Sequence, residues 1–279
     1  MPVKRVMRVL VTLDGPQPDE RVLRTLWNLL DPDALELTGL YVEDEDLLRA
    51  ANLPCLREVS FTGSEAGLDA ARLAREMAEE AAAAERAFET LAAGLMREHR
   101  RLAHHFTITR GRFAQVFDTA AADADLVMVT RALHATGMRR RLGRSFGPLV
   151  RQPRHVLFVN EPWATGSSIV VLNCSDQALD YGSRLARAEG LRLVVVTPIA
   201  VAPPRAERLP PDTTVRQLAD WDEEKIAELC LREDARLLVL PEIPDLDWQE
   251  LLVSLMDRLP CSVLKLASDS VAEGKVSSG

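Results

Sequence analysis

Long hydrophobic runs are missing from this 279-residue chain. Its longest apolar stretch, residues 193–202, is interrupted by Thr197 and Pro198. A bilayer-crossing helix needs about 20 consecutive apolar residues, so no membrane span is expected. The N-terminal sequence MPVKRVMRVLVTLDG has basic residues but no cleavage region, and it runs directly into a strand pattern, so a cytoplasmic protein is expected. Cysteine is scarce as well: Cys55, Cys174, Cys230 and Cys261 are far apart, and no C-x-x-C pair exists. That spacing argues for buried reduced thiols rather than a disulfide or zinc framework. Catalytic signatures are also missing. There is no G-x-S-x-G elbow, no H-E-x-x-H and no G-x-x-x-x-G-K-[ST], and no His/Cys or carboxylate pair has a spacing that demands catalysis, so an enzyme is not expected.

The composition that is present, 47 % hydrophobic and 27 % charged, is that of an ordinary globular protein. The formal net charge of −8 is uneven, with −1 on residues 1–161 and −7 on residues 162–279. An acidic chain cannot neutralise many phosphates, which excludes general nucleic-acid binding. One stretch departs from this balance. Residues 126–160 contain no acidic residue but seven arginines: Arg131, Arg139, Arg140, Arg141, Arg144, Arg151 and Arg154. The stretch reads as buried strand, loop, short helix and buried strand. A loop that enters a helix N-terminus offers free N–H groups and a positive dipole end, which makes it the best candidate for an anion site.

The pattern along the chain alternates strands and helices. Residues 5–13 form a first strand that ends at Asp14-Gly15, followed by a helix capped by Asp19 with an apolar face of Val22, Leu23, Leu26, Trp27 and Leu30. Residues 35–42 form a second strand, and an irregular helix interrupted by Pro54 follows. The longest helix is expected to begin at a Thr62-x-x-Glu65 capping box. Leu73, Met77, Ala81, Ala84, Phe88, Leu91 and Leu95 give it one apolar stripe, suited to its own sheet or, less readily, to a coiled-coil partner. His99, His104 and His105 lie near its end without a carboxylate or thiolate at a metal-binding spacing, so solvated or core histidines are expected. Further strands fall at 106–109, 126–129 and 155–159, with a helix at 113–122. This rhythm predicts an open parallel α/β sheet.

The second half repeats the order in shorter form. RVLVTLDG at 8–15 is answered by SIVVLNCS at 168–175, LTGLYV by LRLVVV, ADLVMVTR by ARLLVLPE, and HVLFV by SVLKL. EPWATGSS at 161–168 reads as the linker. A repeat of this length means duplicated domains, 1–161 and 162–279, rather than a solenoid. The second copy has a loop around 203–211 where the first has its long helix.

With the Asp14-terminated strand, the LYVEDEDLL segment, the ADLVMV strand and the closing VLFV in view, the chain resembles a tandem universal stress protein along both halves. The resemblance implies two Rossmann-like open parallel sheets, the second abbreviated, that pair through their last strands or dimerise. It implies ATP binding in some members and action through protein contacts in others. ATP-binding members carry G-x-x-G, nine residues, then G-S or G-T. Ungapped, this sequence places Val129 and Ala132 at the glycines and Leu142-Gly143 at the Gly-Ser. A slip of one residue recovers Gly143, with Gly137 and Ser145 nearby. Asp14 matches the acidic residue that faces base and ribose, and equally suits a turn.

The expected site therefore comprises Asp14, Arg131, Gly137, Arg139, Arg140, Gly143, Arg144 and Ser145, converging outside the carboxyl ends of the strands. Ser145 could cap the short helix, and the arginines could grip phosphate in bidentate fashion. The alternative is a solvated arginine loop that pairs with the acidic second half. That half's corresponding loop, PEIPDLDWQE, would repel phosphate, and Trp221 and Trp248 read as packing residues. Two functions follow: a stress-associated adaptor that acts on a protein partner and needs no cofactor, or a switch that binds ATP or AMP in the first domain. A flavin-binding electron-transfer protein on a similar sheet is a third reading and predicts a yellow protein.

Overall fold

The computed structural model describes residues 6–13, 22, 34–53, 57–59, 65–67, 69–98, 101–131, 154–160, 165–199, 201, 204, 209–241, 251, 255, 258–259 and 261–267. Its strands are β1 (Val6–Thr12), β2 (Ala34–Asp44), β3 (Arg57–Val59), β4 (Glu65–Gly67), β5 (Leu102–Gly111), β6 (Leu126–Arg131), β7 (His155–Asn160), β8 (Ser168–Leu172), β9 (Arg192–Pro198), β10 (Thr214–Leu218), β11 (Ala235–Leu240) and β12 (Ser262–Lys265). The helices among the described residues are α1 (Glu45–Ala51), α2 (Ala70–Glu98), α3 (Phe113–Ala121), α4 (Asp176–Glu189) and α5 (Glu223–Arg232).

Ten strands form one sheet in the order β10-β9-β8-β11-β12-β7-β6-β1-β2-β5, and β3 and β4 form a separate antiparallel pair. The open parallel α/β architecture expected from the rhythm of the chain is present. Where two sheets were expected, two five-stranded parallel sets join into one, because β12 and β7 pair antiparallel. Each set has the same internal order, with its first strand flanked by its second and fourth.

The seam is built from two fully buried strands. Every residue of β7 and β12 is buried, with Val263 opposite Phe158 and Leu264 opposite Leu157. A slip of one residue would turn each of these side chains to the other face, so the register is strongly specified. Polar contacts pin both ends. The Asn160 N–H donates to Ser262 Oγ at 2.9 Å, and the Ala267 N–H donates to His155 Nδ1 at 3.1 Å.

Alternation along the strands produces a core on each face. One holds Leu10, Leu40, Phe117, Val129, Phe158, Val196 and Ile226, under α3 and α5. The other holds Val9, Val11, Phe88, Leu95, Leu157, Val171 and Leu185, under α2 and α4. Both cores run across the seam. Met77, Ala81, Phe88, Leu91 and Leu95 are buried, so the α2 stripe packs on its own sheet.

Several expectations need correction. Glu65 does not box a helix start. It pairs with Val59 in the β3–β4 hairpin, and α2 begins at Ala70, where the Asp69 carboxylate accepts the Ala71 N–H at 2.9 Å. The third strand of the second half is β10, whose TVRQL sequence carries no strand signal. Cys174, Cys230 and Cys261 are free thiols, but Cys174 is exposed while the other two are buried. Trp221 packs on the core as expected. The Asp19 cap, Trp27, Cys55, His99, the linker residues 161–164, Trp248 and the acidic residues of its loop lie outside the described residues.

The helix α4 has a complete set of end signals. The Ser175 hydroxyl accepts the Ala178 N–H at 3.2 Å, Asp176 sits in the first turn, and Gly190 closes the helix at φ 63°. Ser175→Ala is expected to lower stability by about 1 kcal/mol in urea unfolding, with Ser175→Asp retaining it.

Candidate functional site

In an open parallel sheet, ligands bind outside the carboxyl ends of the strands, where connections diverge to opposite faces. In the first half that point lies between β1 and β6. These strands are parallel neighbours, with Thr12 opposite Val129. The buried Thr12 hydroxyl donates to the Met128 carbonyl at 3.4 Å, and the Leu13 N–H donates to the Leu40 carbonyl at 3.0 Å, so β1 is held against both neighbours at its exit. Arg131 is the last residue of β6, opposite Asn160 of β7. Of the residues expected to form the site, this backbone position is the only one described. Asp14, Gly137, Arg139, Arg140, Gly143, Arg144 and Ser145 lie outside the described residues. The strand exits that precede residue 14 and residues 132–153 are adjacent.

The second half has a different counterpart. The Asn173 N–H donates to the Val196 carbonyl at 2.8 Å, as Leu13 does to Leu40, which makes Leu172 the equivalent of Thr12 and Cys174 the equivalent of Asp14. Although Cys174 is exposed as a residue, partial desolvation pushes its thiol up to about 11. At neutral pH this position therefore presents a neutral S–H where the first half has a carboxylate-bearing residue. The N–H groups at the start of α4 are partly taken by Ser175 itself.

A second concavity was not expected from the sequence. On one face of the first half, a groove of about 540 Å³ lies between β2, β5 and α3, lined by Thr38, Leu40, His105, Thr107, Thr119 and Asp123. A smaller chamber of about 270 Å³ adjoins it and shares Thr38 and Asp123, with Arg8 and Glu36 on its wall. His105 Nε2 lies 3.3 Å from Thr38 Oγ1, and Arg8 Nε lies 3.3 Å from a Glu36 carboxylate oxygen. Period-two placement of Thr107 and Thr109 with His105 on one face of β5 is the sequence signal for this groove. His104 points to the other face, where its Nε2 is 3.0 Å from Glu89. Among the described residues, no group of three or more His, Cys, Asp or Glu side chains is arranged to hold a metal ion. No described helix is long and apolar enough to cross a membrane.

No protein-family model matches this sequence, and no curated protein matches it. Solved structures do match in fold. A universal stress protein from Archaeoglobus fulgidus DSM 4304 aligns with a TM-score of 0.60 at 15% identity, over 94% of this chain and 97% of its own. A putative universal stress protein from Pseudomonas aeruginosa UCBPP-PA14 aligns with a TM-score of 0.56 at 12% identity, over 96% of this chain and 94% of its own. A functionally unknown protein from Pseudomonas aeruginosa PAO1 gives a TM-score of 0.56 at 13% identity, over 95% of this chain and 93% of its own. The chain has the fold of these proteins along nearly its whole length.

Proposed function

We propose that this chain is a tandem universal stress protein, with duplicated domains at 1–161 and 162–279, that acts as a non-enzymatic, stress-associated adaptor on a protein partner. The observation that carries the reading is the repeated strand order joined through the closing strands β7 and β12, on a fold shared with universal stress proteins. Nucleotide affinity in the first domain is weak or vestigial. Supporting this, Val129 and Ala132 stand where the resemblance expects glycines, and Val129 is a buried strand residue between Thr12 and Phe158. A side chain at those positions keeps the backbone from approaching a phosphate closely.

The second reading, an ATP- or AMP-binding switch, is favoured by the adjacent exits of β1 and β6 together with Asp14 and the arginine-rich segment that follows β6. Titration with fluorescent ATP and Mg²⁺ separates the two. The adaptor reading expects no saturable binding below about 1 mM. Saturable submillimolar binding that disappears in the Arg139→Ala, Arg140→Ala double variant would replace the adaptor with the switch. In a strain lacking the protein, the same double variant is expected to restore stress survival as well as the unaltered chain does.

A further inference from the structure

The two ends of the seam are closed by the same device with different chemistry. At each end the first residue of one closing strand accepts, through its side chain, the N–H that leaves the other strand. Ser262 opens β12, and its hydroxyl takes the Asn160 N–H. His155 opens β7, and its Nδ1 takes the Ala267 N–H at 3.1 Å. The antiparallel register makes the two bonds equivalent. It sets Lys265 opposite Val156 and Val263 opposite Phe158, so each accepted N–H lies two residues beyond such a pair. A hydroxyl accepts at any ordinary pH, but an imidazole accepts only while it is neutral. One end of the seam is therefore indifferent to acid and the other is not.

An amide N–H only donates, so Nδ1 of His155 carries a lone pair and the proton of the neutral ring sits on Nε2. In the imidazolium both nitrogens are donors, and Nδ1–H would face the Ala267 N–H with nothing to accept it. The ring cannot turn to water, because His155 is buried and packs edge-on against Tyr181 of α4, 5.6 Å between centroids. Its own N–H is tied to the Asp125 carbonyl at 3.2 Å. The described titratable groups on the elements around it do not favour a second positive charge. Arg154 precedes it and Lys265 is buried one register step away on β12. On β6, the Asp125 carboxylate accepts the Arg8 N–H at 2.9 Å and lies within electrostatic reach of Arg154. On α4, Asp180 and Arg184 pair with each other at 3.5 Å, and the Tyr181 phenol is neutral. The fold thus holds this ring in its neutral form.

We propose that His155 is an acid-sensitive latch between the two halves, which opens the Ala267 end of the seam at mildly acidic pH and leaves the Ser262 end closed. An unfolded histidine takes up its proton near pH 6.5, and here the folded one resists. What the latch adds to stability is therefore complete above about pH 6.5 and is lost as the pH falls below it. Carboxylates titrate near pH 4, so comparing ~pH 7.5 with ~pH 5 isolates the imidazole. Amide hydrogen exchange of the full chain is followed by NMR at both values, each rate divided by that of an unstructured chain at the same pH. Protection of the Ala267 amide is expected to fall by about tenfold at the lower pH, the size of one lost hydrogen bond, while that of Asn160 stays level. His155→Asn places a carbonyl oxygen near the position of Nδ1 and does not titrate, so it is expected to protect Ala267 equally at both values. The latch is overturned if Ala267 in the unaltered chain is equally protected at both, if Asn160 loses protection alongside it, or if His155→Asn keeps the same pH dependence. Should His155→Asn not fold, the ring nitrogens of the ¹⁵N-labelled unaltered chain decide: a lone pair on Nδ1 at ~pH 7.5 that is lost together with Ala267 protection supports the latch, and a proton on Nδ1 at ~pH 7.5 overturns it.

Discussion

Phe88→Ala is expected to be the most destabilising single truncation on the first half of the sheet, costing about 3–5 kcal/mol in urea or thermal unfolding. Phe88 is completely buried on the inner face of α2, and its ring is 5.5 Å from that of Phe106 and 6.2 Å from that of His104. It fits because β2 carries glycine beneath it. A Cβ on Gly39 would come within 2.7 Å of the Phe88 ring and 2.5 Å of the Phe106 ring. Bare backbone at this point lets the long helix settle onto the sheet, so truncation leaves a void that rigid strands cannot collapse to fill. Met96 on the outer face of the same helix is 46% exposed, and Met96→Ala is expected to change stability by less than about 0.5 kcal/mol. Equal effects from the two substitutions would contradict the packing of α2 described above.

Glu233 is the second point of large effect. Its side chain is only 4% exposed, and it holds Arg192, Arg216 and, at 3.7 Å, Arg232, while its backbone carbonyl accepts the Ser168 hydroxyl at 2.7 Å. Removing one partner of a buried pair typically costs about 3–5 kcal/mol, but these arginines keep access to water, so about 2 kcal/mol is expected for Glu233→Gln. Burial alone would push this carboxyl up. The hydrogen bond from Arg216 and the charges of Arg216, Arg192 and Arg232 outweigh it and hold the group below the usual carboxylate range. A carboxylate depressed in the folded state contributes its full stability above the unfolded value of about 4.3 and loses it as pH falls through the folded value. Acid unfolding of the unaltered chain is therefore expected to steepen below about pH 4.3, and Glu233→Gln to flatten that limb. An unchanged slope would show that the carboxylate is not held as described.

Much of this was legible in the chain. The Val- and Leu-rich runs gave the buried strands, and the spacing of Met77, Phe88 and Leu95 gave the face of α2 that meets the sheet. The matched segments at 8–15 and 168–175 gave the repeat. What could not be read depended on register. Glu233 at a helix C-terminus looks unfavourable to the helix dipole until three arginines from separate elements converge on it. TVRQL at the sheet edge buries too little to show as a strand, since its residues alternate between exposed and half-buried. Thr62 and Glu65 matched a capping pattern, but cross-strand pairing to Val59 won over the local signal. The groove at Asp123 was hidden for the same reason: Thr38, Thr107 and Asp123 are neighbours only once β2, β5 and α3 are in place. Of the candidate nucleotide residues, Arg131 was expected in the loop after a strand at 126–129, but the strand runs on and Arg131 is its last residue.

The antiparallel contact between β7 and β12 lies within one polypeptide. A symmetric association of identical subunits imposes every substitution twice across its axis, so each change must suit both sides. Here Phe158 faces Val263, and either residue can vary without its copy varying too. One gene thus frees two related surfaces to specialise separately: the edge strand of one half can carry Thr107 where that of the other carries Arg216.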